Sequence, residues 1–171
     1  MSKLFTMNGN IKNLNETKRG VPFFRKLSTS EIELAIARKI MRNPHPNIVK
    51  IYAVGDNYID MEMLDADSVT SKYCRDHVAE LRRAKNHMHK NGIVYIDWRA
   101  QNMGISYING KLKVFDFDLS GLLRRRILYV NKWKLTSELK AFLLRNAEAA
   151  GQITPLKADD WIFEHRFMKN S

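Results

Sequence analysis

An α+β fold is predicted for this chain, with a β-rich first part and a helical second part. Two observations predict it: short apolar runs separated by turn residues, and apolar positions that recur at helical spacing. A chain of 171 residues is enough for one compact domain or for two small lobes that share a cleft. Its composition, 44% hydrophobic and 27% charged, is that of a globular protein and excludes a disordered one.

The first elements are a strand and a helix. Residues 21–27 (VPFFRKL) are apolar and aromatic enough for a strand, and Pro22 restricts it to a sheet edge or a strand start. Ser30 followed by Glu33 is a capping-box pattern, and the isoleucines that follow share one helical face. We therefore expect a helix from Ser30 to about Met41, ending before the next prolines.

Two β-hairpins are predicted, each from a pair of apolar runs around a short polar turn. The second turn is Asn109-Gly110, and an Asn-Gly pair between apolar runs is one of the strongest hairpin signals. The expected strands are residues 47–54 with 58–64, and 103–108 with 111–117.

Three helices complete the expected order of elements. Apolar residues at helical spacing predict one long helix from Ser68 to about Lys90, ended by Asn91-Gly92. In the tail we expect a helix over residues 136–150 and another near 159–167.

The chain is strongly basic, because 29 Lys and Arg stand against 18 Asp and Glu for a formal net charge of +11. Such a field favours acidic or nucleic-acid-associated partners. No apolar run approaches the roughly 20 residues of a membrane span, and the polar start is unlike a signal peptide. The single cysteine, Cys74, excludes an internal disulfide and a cysteine-based zinc site. We expect an intracellular protein, cytoplasmic or nuclear, that is neither secreted nor bound to membranes.

The residues that carry chemistry lie around the second hairpin. Asp97 is followed five positions later by Asn102, and Asp116 ends the apolar run after the turn. This arrangement resembles the protein-kinase catalytic loop H-R-D-x-x-x-x-N followed by D-F-G. Residues 45–52 (HPNIVKIY) and 61–64 (MEML) look like the segment after the kinase regulatory helix and like the gatekeeper and hinge.

The resemblance spans residues 21–120 and implies a two-lobed, protein-kinase-like fold. Residues 1–62 would form the N-lobe and residues 63–171 a reduced C-lobe. The implied protein is a minimal serine/threonine kinase that binds ATP with Mg²⁺ or Mn²⁺ and phosphorylates a protein substrate. Trimmed kinases of this kind are similar to those of large DNA viruses and phages.

Catalytic and metal-binding roles follow from the resemblance. Asp97 would orient the attacking hydroxyl and take its proton, while Asn102 and Asp116 would bind the metal that bridges the ATP phosphates. Arg99 stands where such kinases usually have Lys and would neutralise the transferred phosphate.

Nucleotide-binding roles also follow from the resemblance. Lys26 would contact the phosphates and pair with Glu33; Glu31 is the second choice of partner, and Arg25 and Lys18 are alternative cations. Met61, Glu62 and Met63 would form the adenine pocket and hinge, where the main chain of the last two binds the adenine edge.

The sequence also departs from the family pattern. It has no G-x-G-x-x-G, Tyr95-Ile96 replaces His-Arg, Asp118 replaces the glycine of D-F-G, and only Asp159-Asp160-Trp161 resembles a later kinase helix. Two alternatives therefore remain beside an active protein kinase. One is a catalytically weak pseudokinase that acts as a scaffold, and the other is a small-molecule kinase of the aminoglycoside or choline kinase type.

Overall fold

Small antiparallel sheets and helices pack together in a mixed α+β architecture, which confirms the predicted α+β class. This computed structural model describes residues 17–18, 21–125, 127–130 and 154–167. Within those ranges the chain forms ten strands, four helices and one short 3₁₀ turn at Ala100–Asn102.

The strands belong to three sheets with the orders β1-β2-β4-β3, β10-β9-β6 and β5-β7-β8. In chain order they are β1 (Thr17–Lys18), β2 (Val21–Leu27), β3 (Ile51–Val54), β4 (Tyr58–Glu62), β5 (Leu64–Asp65), β6 (Ile93–Val94), β7 (Met103–Ser106), β8 (Leu112–Val114), β9 (Gly121–Arg124) and β10 (Ile127–Tyr129). The helices are α1 (Glu31–Arg42), α2 (Ser71–Asp76), α3 (Val78–Lys90) and α4 (Pro155–Phe167).

The first helix begins where its capping pattern predicts. Ser30 Oγ accepts a hydrogen bond from the main-chain N–H of Glu33 at 3.2 Å, which satisfies one of the free donors of the first turn. The helix ends at Arg42, one residue beyond the predicted end. Ile36 and Ile40 are buried on its inner face.

The prediction of one long helix from Ser68 to Lys90 is wrong, because the segment forms two helices that meet at His77. Thr70 Oγ1 accepts from the N–H of Tyr73 at 3.0 Å and so caps a helix that begins only at Ser71. The backbone of His77 leaves the helical region, with φ −115° and ψ 24°, and ends α2 before α3 starts.

The strand predicted over residues 47–54 is shorter than expected, because the chain around Asn47 pairs with β8 instead of extending β3. Val114 N–H donates to the carbonyl of Asn47, and Val49 N–H donates to that of Val114. The Asn47 side chain also donates to the carbonyl of Leu112 at 3.0 Å. These bonds connect the four-stranded sheet to the β7–β8 hairpin.

The strand predicted over residues 58–64 is interrupted at Met63, where the chain passes from β4 in one sheet to β5 in another. The second hairpin is present around Gly110, whose φ of 70° suits the turn, but both of its strands are shorter than predicted. The β9–β10 hairpin was not predicted. Its strands pack so closely that a Cβ on Gly121 would lie 2.6 Å from Leu128 Cδ1.

The last predicted helix is present as α4 and begins four residues earlier than the sequence indicates. The helix predicted over residues 136–150 lies outside the described residues. None of the helices in the described ranges is both long enough and apolar enough to cross a membrane.

One apolar cluster connects the sheets to the helices. At its centre, Trp98 packs edge-on against Phe163 of α4 with ring centroids 4.9 Å apart, and Tyr95 lies 4.6 Å from the same indole. All three side chains are buried. The loop that carries Asp97 is therefore anchored on both sides of that residue.

Candidate functional site

Lys26 on β2 contacts two carboxylates in the interior. Its Nζ lies 2.5 Å from Glu33 Oε2 and 3.2 Å from Asp116 Oδ1. Neighbouring residues of a strand face opposite sides, so Arg25 points the other way and binds Asp60 at 2.7 Å. The predicted pair of Lys26 with Glu33 is thus formed, across a spacing of only seven residues.

The sequence offered Glu31 as another acid and Lys18 as another cation for this pair. Glu31 is exposed in the first turn of α1, whereas Glu33 is buried. The side chain of Lys18 lies outside the part of the chain that the structure describes.

The two carboxylates stabilise the charge of Lys26. Burial alone lowers the pKa of this amine, but Asp116 and Glu33 raise it, and the net result lies above the ordinary value of 10.5. The ion pairs therefore stabilise the fold fully below that pH and lose their effect as the pH rises through the folded pKa. Glu33 Oε1 is buried and has no hydrogen-bond partner among the described residues.

Asp97 is held by two side chains of its own loop. Arg99 binds Asp97 through two nitrogens: Nε lies 2.6 Å from Oδ1, and Nη2 donates to Oδ2 at 2.9 Å. Asn102 Nδ2 donates to Asp97 Oδ2 at 2.6 Å and to its main-chain carbonyl at 3.0 Å. Asp97 and Asn102 are buried, while 43% of the Arg99 side chain is exposed.

The β7–β8 hairpin brings Asn102 close to Asp116. Asn102 immediately precedes β7, Phe115 immediately follows β8, and the N–H of Phe115 donates to the carbonyl of Asn102 at 3.1 Å. Asp116 is the next residue, and its Oδ1 accepts from Lys26 and from the N–H of Asp118. The loop that carries Asp97 and the cluster of Lys26, Glu33 and Asp116 therefore meet at the open end of one hairpin.

Asp159 of α4 is the anchor of the loop that carries Asp97, and it is completely buried. Its Oδ1 accepts from the N–H of Ile96 and from Trp98 Nε1, each at 2.8 Å. Its Oδ2 accepts from the N–H of Tyr95 at 3.0 Å and lies 2.7 Å from His89 Nε2. One carboxylate thus binds three donors from four successive residues of the loop.

This anchor explains a strained backbone. Ile96, directly before Asp97, has a φ of 73°, in the left-handed region that β-branched residues avoid. Such strain persists only where surrounding bonds hold it, and the hydrogen bond from the Ile96 amide to Asp159 is one of them. The strained turn directs the side chain of the next residue, Asp97, towards Asn102.

Tyr95 stands where the protein-kinase motif that this loop resembles has a histidine. Its ring meets Phe117 edge-on with centroids 5.7 Å apart, next to Asp116. Burial raises the pKa of this phenol well above its ordinary value, so the hydroxyl stays protonated. That hydroxyl has no hydrogen-bond partner among the described residues.

The proposed hinge residues lie between two sheets. Met61 is buried on β4, and Met63 lies between β4 and β5 outside both ladders. The Glu62 side chain is completely buried and bound to Lys113, and the main-chain N–H of Glu62 donates to the carbonyl of Lys50 at 3.0 Å, so neither group is available for a ligand.

The donor set fits Mg²⁺ or Mn²⁺. Asn102 uses its amide nitrogen to bind Asp97, which leaves its carbonyl oxygen for a cation, and Asp116 adds a carboxylate that is 26% exposed. Mg²⁺ commonly takes one or two protein oxygens and completes its shell with phosphates and water. Within the described ranges no group of three or more His, Cys, Asp or Glu is arranged to hold a metal. A metal held by these two residues would take its remaining ligands from phosphate and water.

No protein-family model matches the chain, and no curated protein matches it significantly. The functional interpretation therefore rests on side-chain geometry. The sequence pointed to the residues of both polar clusters. It gave Asp159 only as part of an Asp-Asp-Trp triplet and did not predict its role as an anchor. It did not predict a role for Lys113, although a lysine inside an apolar strand is unusual.

We predict that Asp159→Ala destabilises the protein by at least about 3 kcal/mol, because three buried donors lose their acceptor at about 1–3 kcal/mol each. Urea denaturation followed by tryptophan fluorescence measures the loss. Glu164→Ala on the same helix is the control, since it removes only a partly exposed pair with Arg82 and should change stability by less than about 1 kcal/mol. Equal effects of the two substitutions would contradict the anchoring role.

Proposed function

We propose that this protein is an ATP-dependent phosphotransferase with a two-lobed, protein-kinase-like fold. The reaction is transfer of the γ-phosphoryl group to a serine or threonine hydroxyl of a protein. The observation that carries the proposal is the convergence of Lys26, Glu33 and Asp116 with Asp97 and Asn102 at the open end of the β7–β8 hairpin.

Phosphoryl transfer requires a protein to position its reactants and to neutralise charge. The ammonium of Lys26 is kept charged and is fixed by Glu33, so it presents a positive group to the phosphates without further reorganisation. Asn102 and Asp116 would hold a divalent metal, which would supply positive charge to the phosphate oxygens. Asp97 accepts a hydrogen bond from the substrate hydroxyl and takes its proton.

The proposed two-lobed arrangement is supported by the point at which the chain leaves one sheet and enters another. The four-stranded sheet ends with Glu62 on β4, and the chain enters the next sheet at Leu64. This boundary coincides with the division at residue 62 that the resemblance implies. The Glu62 N–H donates to the carbonyl of Lys50, so in this proposal the adenine edge is bound by the carbonyl of Glu62 and the main chain of Met63.

The observed bidentate contact of Arg99 with Asp97 implies a rearrangement during the reaction. Both Asp97 oxygens are engaged, so a substrate hydroxyl must share or displace one of these bonds. Arg99 is partly exposed, and its guanidinium can turn towards the transferred phosphate while still contacting the carboxylate. We assign it the role of stabilising the phosphate charge.

The test is phosphoryl transfer from labelled ATP with Mg²⁺ or Mn²⁺ to a basic protein, to a serine/threonine peptide mixture and to the protein itself. We expect Asp97→Asn to lower transfer by about 10²–10⁴-fold, because it removes the proton acceptor. Asp116→Asn should reduce it at least as far, since it removes the anionic metal ligand. Glu164→Ala, remote from the site, is the matched control and should retain full activity.

Two outcomes would overturn the proposal in different ways. Nucleotide binding without transfer would indicate the pseudokinase alternative. Transfer to an aminoglycoside or to choline, but to no protein or peptide, would indicate the small-molecule kinase alternative.

For Arg99→Ala we predict a loss of at least about tenfold in kcat with folding unchanged, because an arginine that stabilises transferred charge contributes strongly to phosphoryl transfer. Lys72→Ala, which removes a cation with a 75% exposed side chain on α2, should leave kcat unchanged. A faster Arg99→Ala enzyme would contradict the role, since it would mean that the guanidinium only blocks Asp97.

A further inference from the structure

The side chain of Glu62 is the centre of a buried polar network behind the proposed hinge. Glu62 Oε1 accepts from Lys113 Nζ at 2.5 Å and from the N–H of Lys50 at 2.9 Å. Its Oε2 accepts from Ser106 Oγ at 3.0 Å. Glu62, Ser106 and Lys113 are all buried, the carboxylate completely.

The two side-chain partners of Glu62 lie on the hairpin that carries the candidate metal ligands. Ser106 ends β7, which begins one residue after Asn102. Lys113 is on β8, three residues before Asp116. Glu62 itself ends β4, next to Met63. The network therefore connects the proposed adenine-binding segment with the proposed metal-binding hairpin.

Stability alone does not explain an ion pair at this place. Removing two charges from water is costly, and replacing a buried pair by apolar side chains of similar volume is often neutral or stabilising. A charged pair with three satisfied hydrogen bonds does, however, impose one direction and one distance on the groups it joins. Apolar packing at the same place would allow the hairpin and β4 to slide against each other.

We propose that Glu62 and Lys113 are positioning residues that fix the distance between the adenine-binding and metal-binding ends of the nucleotide site. This inference rests on the proposed function, because it concerns how the same site holds ATP. Neither side chain touches the nucleotide. Their effect is that a ligand bound at the hinge has its phosphates directed to Lys26, Asn102 and Asp116 without adjustment.

The role predicts a difference between two ligands. Adenosine contacts only the hinge end of the site, so its affinity does not depend on where the hairpin lies. ATP with Mg²⁺ contacts both ends and needs them at one fixed distance. Loss of the pair should therefore weaken ATP·Mg²⁺ and leave adenosine unchanged.

The experiment measures binding of adenosine and of ATP·Mg²⁺ by calorimetry for the wild type, for Lys113→Met and for the double variant Glu62→Gln/Lys113→Met. We expect ATP·Mg²⁺ to bind about tenfold more weakly in both variants, in line with the loss of supporting residues around a metal site. The double variant removes the unpaired buried carboxylate, so it remains folded even where Lys113→Met is too unstable to assay.

Arg25→Met is the matched control, because it also leaves a completely buried carboxylate, Asp60, without its guanidinium partner, but on a pair that does not reach the hairpin. It should lose stability and keep its ATP·Mg²⁺ affinity. If Lys113→Met and the double variant bind both ligands as the wild type does, the positioning role is overturned and the proposed function stands. A wild type that binds no ATP·Mg²⁺ overturns the proposed function and this inference with it.

Discussion

The buried carboxylate of Asp159 is the constraint on which the candidate site depends. It accepts hydrogen bonds from two successive main-chain amides and from the indole of the same loop, and it contacts His89 of α3. The loop would otherwise relax, because Ile96 has a backbone conformation that is unfavourable for a β-branched residue. The position of Asp97 is therefore determined by a residue 62 positions further along the chain.

From this anchor the polar groups form a connected series. Asp97 binds Asn102, the main chain of Asn102 binds Phe115, and the next residue, Asp116, binds Lys26. The β7–β8 hairpin also binds Glu62, through Lys113 and Ser106. Each proposed contact with a nucleotide thus has a support that is fixed before the ligand arrives, which is the condition for efficient electrostatic stabilisation.

Local signals predicted local structure. The capping box at Ser30 and the Asn-Gly turn were sufficient for α1 and for the second hairpin, because each depends on contacts within a few residues. The break at His77 was not predictable from apolar spacing, because that spacing continues through the break. The first of the two helices begins later than predicted because Thr70 caps it. The shortening of the strand at Asn47 depends on hydrogen bonds to β8, more than 60 residues away, which no local pattern contains.

The same distinction applies to the site. The spacing of Asp97, Asn102 and Asp116 was visible in the sequence, and so was the choice of Lys26 with Glu33. The roles of Asp159 and Lys113 were not, because an acidic residue near the end of the chain and a lysine within a strand acquire meaning only from their partners. The engagement of Asp97 by Arg99 was also not predicted, since a separation of two residues in a loop does not determine whether side chains meet.

In the proposed function, Lys26, Asn102 and Asp116 bind the phosphates of ATP together with a divalent metal. The most direct measurement is the affinity for ATP, by calorimetry, with and without Mg²⁺, in the wild type and in Asp116→Asn. We expect Mg²⁺ to strengthen ATP binding by the wild type, because Asn102 and Asp116 would hold the metal beside the phosphates, and we expect Asp116→Asn to abolish this dependence. ATP binding that is indifferent to Mg²⁺ in the wild type, or a Mg²⁺ effect that survives in Asp116→Asn, would contradict it.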